Sequence, residues 1–524
     1  MFYQASGLKL NSTKTEVLAV GQNEKFYTNN NPFRLKWVKE RVYALGTWFY
    51  KDVSRIKEEN KNEKLLQITQ AIQHWSARKL TWFGKITVIK SVILSKLNYN
   101  ISSIETSEAL VTAVQKLIND FLWDNKPPRI KFKTAISKTQ YGGLNLPHIE
   151  SYVKSQKITW INRILKQQSH FVVHLLMHVL PNMNLCDFLS CNLHPDQLDE
   201  RIPNFYRQIL FSWFESRKSE KKENFCQEII WFNQNIKVGG KSLWNEKWYG
   251  CGIKTISDLL NTSGNFLSYT EFKAKYKITC NFLEYAGMIK AIPKSWKSSI
   301  QKIDNKQKSS IQKIKIISSK TSYWQFVSNV EKTPTCIKAW SEQYGIIFNQ
   351  DEWNSIFQLP WLITSNRKLV ELQFKIIHKV YASDSHVNHF DKTIMADCTF
   401  CKVKNNTVHF FFYCVKAKQF WLDLNEWLKE LYQERTINLN NVLFGVINND
   451  DRTVRIYNYC ILQAKWYFHK ERKAMKNYEH YAITLQGFQK YLKQTLVIEK
   501  NFCENTERGN FFHLTYGDLL RAVS

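Results

Sequence analysis

Glycine and proline are scarce in this chain, 17 and 10 residues of 524, and their scarcity excludes collagen-like and low-complexity disordered architectures. With few breakers over such a length, helices are favoured. Acidic residues are also few. Asp and Glu total 45 against 74 Lys and Arg, which leaves a formal charge of +29. A field of that sign attracts polyphosphate backbones or an anionic membrane surface, unless it is only a solvated basic face. No apolar run of membrane-spanning length occurs: "HFVVHLLMHVL" at 170–180 is too short and carries histidines. Nucleic acid, RNA or DNA, is therefore the expected partner, with no membrane. The opening "MFYQASGLKLNSTKTE" has no basic region followed by an apolar one, so the expectation is an intracellular protein, nuclear and cytoplasmic, with reduced cysteines. No nucleotide-cradling glycine-rich loop, Ser/His/Asp set or H-E-x-x-H is legible either.

What is present suits a helical protein with substantial cores. Hydrophobic residues make up 44% and aromatics 14%, enough at this length for about three or four domains. Residues 17–20 read as a strand ending at Gly21, followed by the polar loop "QNEKFYTNNNP" and a short apolar piece, "RVYALGTWFY". From 63 to 125 the period becomes helical. Leu65, Ile68, Ile72 and Trp75 share one face, Ile86, Ile89, Ile93 and Leu97 another, and Leu110, Val114, Leu117, Phe121 and Leu122 a third. "YGGLNLP" at 141–147 is a break, with Gly142 and Gly143 supplying backbone freedom and Pro147 opening a helix through Ile158 and Ile161 to Leu165.

Residues 151–296 alternate helical stretches with aromatic, glycine-marked turns. KSSIQKI then occurs at 297 and again at 308, an eleven-residue period that suits a solvated basic helix or a linker touching phosphates. A linker or hinge near 295–320 is expected. The fold class that follows is mainly α: a short β remnant over 1–60, a helical bundle over 61–166, an irregular helical region over 167–320 ending in the basic linker, a small helical region with a cysteine knuckle over 321–435, and a basic helical region over 436–524.

"CTFCKVKNNTVHFFFYC", residues 398–414, gathers three of the eleven cysteines within 17 residues. Cys398, Cys401, His409 and Cys414 stand at the spacing C-x2-C-x7-H-x4-C. Soft thiolates and an imidazole suit tetrahedral Zn2+, and four protein ligands leave no open position for chemistry. A structural zinc is the expectation, against chance clustering. "KLVELQFKIIHKVY" (368–381) precedes the segment, and Ala417, Phe420, Trp421, Leu424, Trp427, Leu428 and Leu431 follow at helical spacing, so two helices should clamp it. His378, His386 and His389 are spare ligand candidates, although core or surface histidines are commoner.

The ordered set "SGLKLNSTKTEVLAVG", "ALGTWF", "RKLTWFGKITVIKSVILSKLNY", "NDFLWDNKPPRIK", "YGGLNLPHIESY", "GIKTISDLL", "LVELQFKIIHKV", "CTFC...H...C" and "AKWYFHKERK" resembles the C-terminal part of the reverse transcriptase of LINE-type, non-LTR retrotransposons, over nearly the full length. The resemblance implies that Lys14, with Gly7, Leu8, Asn11 and Thr15 around it, matches the last palm motif near the incoming nucleotide. It implies that residues 44–46 match a primer-grip turn, that the three helices match a thumb on the template–primer backbone, and that the cysteine segment matches a zinc-binding region that contacts RNA. A retroelement ribonucleoprotein is the implied assembly.

One departure bears on chemistry. Strand synthesis needs a "Y-x-D-D" hairpin and a third carboxylate to hold two metal ions about 4 Å apart. The only "DD" here is Asp450-Asp451 in a polar turn, and none precedes Lys14. The expectation is a truncated or remnant protein that grips nucleic acid without polymerase catalysis. The alternatives are a fragment of an active RNA-directed DNA polymerase whose upstream palm and endonuclease are missing from the gene model, and an inert pseudogene product that folds poorly because its palm has been removed. The N-terminal 50 residues are expected to be the least secure part of the fold, because the 17–20 strand lacks a sheet to pair with. Candidate phosphate contacts are Lys14, Arg78, Lys79, Lys85, Lys90, Lys402, Lys404, Lys416 and Lys418, with salt-dependent, sequence-blind binding. Trp82 and Phe83 either stack on bases or, more in keeping with their type, form bundle core. Phe410, Phe411 and Phe412 face the same choice, with at least one expected in the core.

Overall fold

Ile86, Ile89, Ile93 and Leu97 recur at helical spacing, and all four are buried in the computed structural model. The structure describes residues 11, 13–20, 35–166, 171–180, 182–193, 197–218, 225–300, 317–330, 333–432, 436–447, 451–477, 483–506 and 509–524. Within them the fold is mainly helical, with three two-stranded sheets. Gly7, Leu8, the asparagine-rich loop at 22–32, most of the KSSIQKI repeat and Asp450 lie outside the described residues. No helix among the described residues is long and apolar enough to cross a membrane.

The backbone divides into two units that interleave in sequence. One gathers Met1–Ile72, Val92–Leu117 and His148–Asn329; the other gathers Gln73–Ser91, Ile118–Pro147 and Val330–Ser524. This grouping differs from five consecutive segments, because contacts between distant stretches override chain order.

In the first unit, Glu16–Leu18 pairs in parallel with Lys36–Val38, Val17 opposite Trp37. The strand expected to lack a partner therefore has one. Arg41–Ala44 and Thr47–Tyr50 form an antiparallel hairpin whose turn, Leu45-Gly46, has φ of 50° and 80° at its two central residues. Two positive φ values match the right-handed strand twist, and glycine takes the second without steric cost. The hairpin is held on the Val53–Ser76 helix by buried Asn60, whose amide accepts from Trp48 N at 2.8 Å and donates to Trp48 O at 2.7 Å. The Ile149–Lys166 helix packs against Asn204–Lys218 and Ser319–Ser328, burying Ile158, Ile161 and Ile164 with Trp213, Trp231 and Phe272.

In the second unit, the Arg452–Asn477 helix is central. Arg367–Ile377, Leu485–Asn505 and Gly509–Ala522 pack on it around Tyr457, Tyr459, Phe468 and Leu492. The Gln350–Ile363 helix opens with a reciprocal cap: Asn349 Oδ1 accepts from Glu352 N at 2.9 Å, and Glu352 accepts from Asn349 N at 2.8 Å. Trp82 lies edge-on to Trp123 at 4.9 Å and Phe83 edge-on to Trp361 at 4.7 Å, so both pack within the unit. Of the two break glycines, Gly142 has φ +78°, whereas Gly143 is required by crowding: a Cβ there would lie 1.9 Å from the Ser137 carbonyl oxygen.

Candidate metal centre

The cysteine segment starts as a tight knuckle. Cys398 N donates to Val403 O at 2.8 Å and Lys402 N to Cys398 O at 3.0 Å, with Lys402 in the left-handed region at φ 54°. This turn brings Cys398 and Cys401 onto one side. Val408 and His409 then enter a π-turn over His409–Tyr413, closed by Cys414 N donating to His409 O at 2.7 Å. Cys414 caps the Val415–Leu431 helix. The extra residue per turn in a π-turn re-aims side chains, and here it directs the imidazole and Cys414 to the same point.

One ligand atom from each of Cys398, Cys401, His409 and Cys414 lies within 4.8 Å of the others. Cys398 Sγ is 3.8 Å and Cys401 Sγ 4.0 Å from Cys414 Sγ. His409 Nε2 is buried without a hydrogen-bond partner, a costly state for a ring nitrogen unless a ligand completes it. Val415 N donates to Cys401 Sγ at 3.4 Å, the support a thiolate needs at the positive end of a helix. Burial, reinforced by the neighbouring thiols, pushes the Cys414 thiol up to about 12, and burial lowers His409. Three soft sulfurs and a neutral imidazole fit zinc, which stabilises the thiolate forms.

Neighbouring residues brace the loop. Asn405 donates to Asp384 Oδ2 at 2.7 Å, and Arg472 donates to Asp384 Oδ1 at 2.5 Å. The Arg472 guanidinium also lies 5.6 Å from the Phe410 ring centre. Trp421 Nε1 donates to Phe411 O at 2.7 Å, pinning the π-turn to the following helix. Phe410 and Phe411 are buried and Phe412 is half-buried, so two of the three phenylalanines belong to the core. The Arg472–Asp384–Asn405 chain gave no sequence signal, since its members are 88 and 21 residues from Asp384 in the chain.

The spare histidines stay outside the cluster. His378 is buried, stacked on Phe374 at 4.0 Å between ring centres, and pushed down to about 3 by that burial. It is a core histidine. Asp451 accepts from Thr453 N at 3.2 Å at the start of the Arg452–Asn477 helix, a capping contact.

Among the expected phosphate contacts, Lys14, Lys79, Lys90, Lys402, Lys404 and Lys418 are exposed. Arg78 is exposed with its guanidinium 4.2 Å from the Trp75 ring centre, and Lys416 is half-buried, 5.0 Å from that of Phe400. Lys85 differs from the rest. It is 4% exposed, and its ammonium is committed to Asp124 at 2.5 Å and Leu122 O at 3.3 Å. It is corrected to a packing residue, because the ammonium meets protein oxygens inside the unit. A comparison of the chain with models of known protein families finds no match.

Proposed function

We propose that this chain is the C-terminal region of a LINE-type reverse transcriptase, a basic protein that binds RNA or a template–primer duplex through a zinc-stapled segment and performs no strand synthesis of its own. One observation carries the proposal: three thiols and an imidazole converge within 4.8 Å while Lys402 and Lys404 on the same segment, and Lys418 on the helix that follows it, stay exposed. A closed zinc there has no open position, so its chemistry is structural: it neutralises thiolates and fixes the knuckle. The knuckle turn then presents lysines to a phosphate backbone, as nucleic-acid-binding knuckles do. The order of the nine landmarks and the charge of +29 support the same reading. Lys14 and the hairpin turn at Leu45-Gly46 take the places of the nucleotide-proximal lysine and the primer-grip turn, and a retroelement ribonucleoprotein is the assembly that fits.

The test is fluorescence anisotropy with single-stranded RNA and a primed RNA template across a salt series, beside primer extension with Mg2+. Binding whose affinity falls steeply with salt, with no extended product, is expected. Extension by the pure chain, or salt-independent binding, would contradict it.

A further inference from the structure

Away from the metal centre, the second unit carries a groove of about 390 Å3 where the end of the Gln350–Ile363 helix meets Leu485–Asn505 and Gly509–Ala522. Large apolar side chains stand exposed on its rim. Leu362 is 65% exposed, Phe502 46% and Phe511 40%, and Ile498 and Leu514 stand one helical turn from the two phenylalanines. Exposed apolar side chains gathered around a groove give a partner apolar anchor points.

The polar groups of the groove are already satisfied from within. Glu499, the only acid lining it, accepts from Ser365 N at 3.1 Å and Ser365 Oγ at 2.8 Å. Tyr516 donates to Ile363 O at 3.0 Å, Thr364 Oγ1 accepts from Asn366 N at 3.1 Å, and Thr506 donates to Phe502 O at 2.8 Å. The exception is Arg367. Its guanidinium rests 4.5 Å from the Trp361 ring centre, and no carboxylate among the described residues forms an ion pair with it. A ligand for this groove therefore needs apolar bulk together with negative charge.

We propose that the groove docks an acidic amphipathic helix of a protein partner, whose apolar stripe seats on Leu362, Phe502 and Phe511 and whose carboxylates meet Arg367. Helix-in-groove recognition uses apolar anchors at i, i+3, i+4 and i+7, and a groove between helices offers that shape. Of the aromatic side chains lining the groove, Tyr516 is buried and the Trp361 ring carries the Arg367 guanidinium, which leaves Phe502 and Phe511 beside Leu362 as separate apolar anchors and not as a continuous stacking platform for bases.

The experiment is anisotropy of the full chain with a labelled synthetic peptide of roughly 18 residues, long enough for five turns, with leucines at the anchor positions and glutamates elsewhere. A second peptide carries lysine for every glutamate. Saturable binding of the glutamate peptide is expected, at least roughly tenfold tighter than the lysine peptide. Arg367→Glu should reverse that preference, and Phe511→Ala should weaken the glutamate peptide roughly tenfold. Both positions are exposed, so an unchanged thermal midpoint would show that the fold survives. Equal affinity for the two peptides, or indifference to Arg367→Glu, overturns the proposal. So does binding of a poly-U oligonucleotide, or dimerisation of the chain, that is lost on Phe511→Ala while neither peptide binds.

Discussion

Cys398 Sγ lies 3.8 Å from Cys414 Sγ although 16 residues separate them in the chain, and both residues are buried. Three thiols at such range pack poorly as an empty cluster and repel as thiolates. Zinc should therefore contribute to folding of the second unit. Chelation, or Cys414→Ser, is expected to cost roughly 3 kcal/mol or more. Circular-dichroism melts should show a lower midpoint, and hydrogen exchange should lose protection first over 398–414. Identical melts with and without chelator would contradict this.

Two buried lysines set a pH dependence. Burial pushes Lys157, bonded to Ile104 O at 2.7 Å, and Lys465, bonded to Gln373 Oε1 at 2.5 Å and Val442 O at 2.7 Å, each down to about 7. Both folded values lie below the unfolded value near 10.4, so the unfolded chain binds more protons above pH 7 and stability rises with pH there. Between pH 7 and about 8.5 each lysine should add roughly 1 to 2 kcal/mol. Above about 8.5 the effect is opposed, because Cys191, Cys336 and Cys460, held neutral by burial, ionise only when unfolded. Urea titrations at pH 7 and 8.5 check the sign, and Lys465→Met should flatten the slope.

Gly143→Ala should be among the most damaging single substitutions. The added methyl would sit 1.9 Å from the Ser137 carbonyl oxygen, which already accepts from Asn145 N at 2.8 Å. Backbone must move to admit it, at a cost of roughly 3 kcal/mol or more. A denaturant midpoint close to that of the parent chain would show that the loop yields more easily than its packing suggests.

Exposed and buried lysines should separate in binding assays. Replacing Lys402 and Lys404 together by glutamate should weaken RNA binding and lower the salt slope by about 1 for each phosphate no longer neutralised. Lys85→Ala should leave the slope unchanged and lower stability, since its ammonium bonds Asp124 and Leu122 O. The reverse pattern would return Lys85 to the surface.

The legible parts of this protein were those whose signal is local. The Ile86, Ile89, Ile93 and Leu97 stripe is periodic and buried, and the four metal donors lie within one short segment, so spacing alone brought them together. Pairings across long separations left no such trace. Glu371 Oε2 accepts from Trp82 N at 2.7 Å across 289 residues, and the partner strand for Glu16–Leu18 lies beyond a polar loop. Lys85 read as a phosphate contact because lysine is usually exposed; for buried Lys465, the apolar run "YCILQAKWYF" around it is a local signal of burial.

The most direct test of the central claim pairs zinc stoichiometry with RNA affinity on the same preparations of the parent chain, Cys398→Ser and Cys401→Ser. One zinc per parent chain, with its loss and weakened RNA binding in both variants, is the expected result. A parent chain that binds RNA with no zinc, and equally well after either substitution, would contradict it.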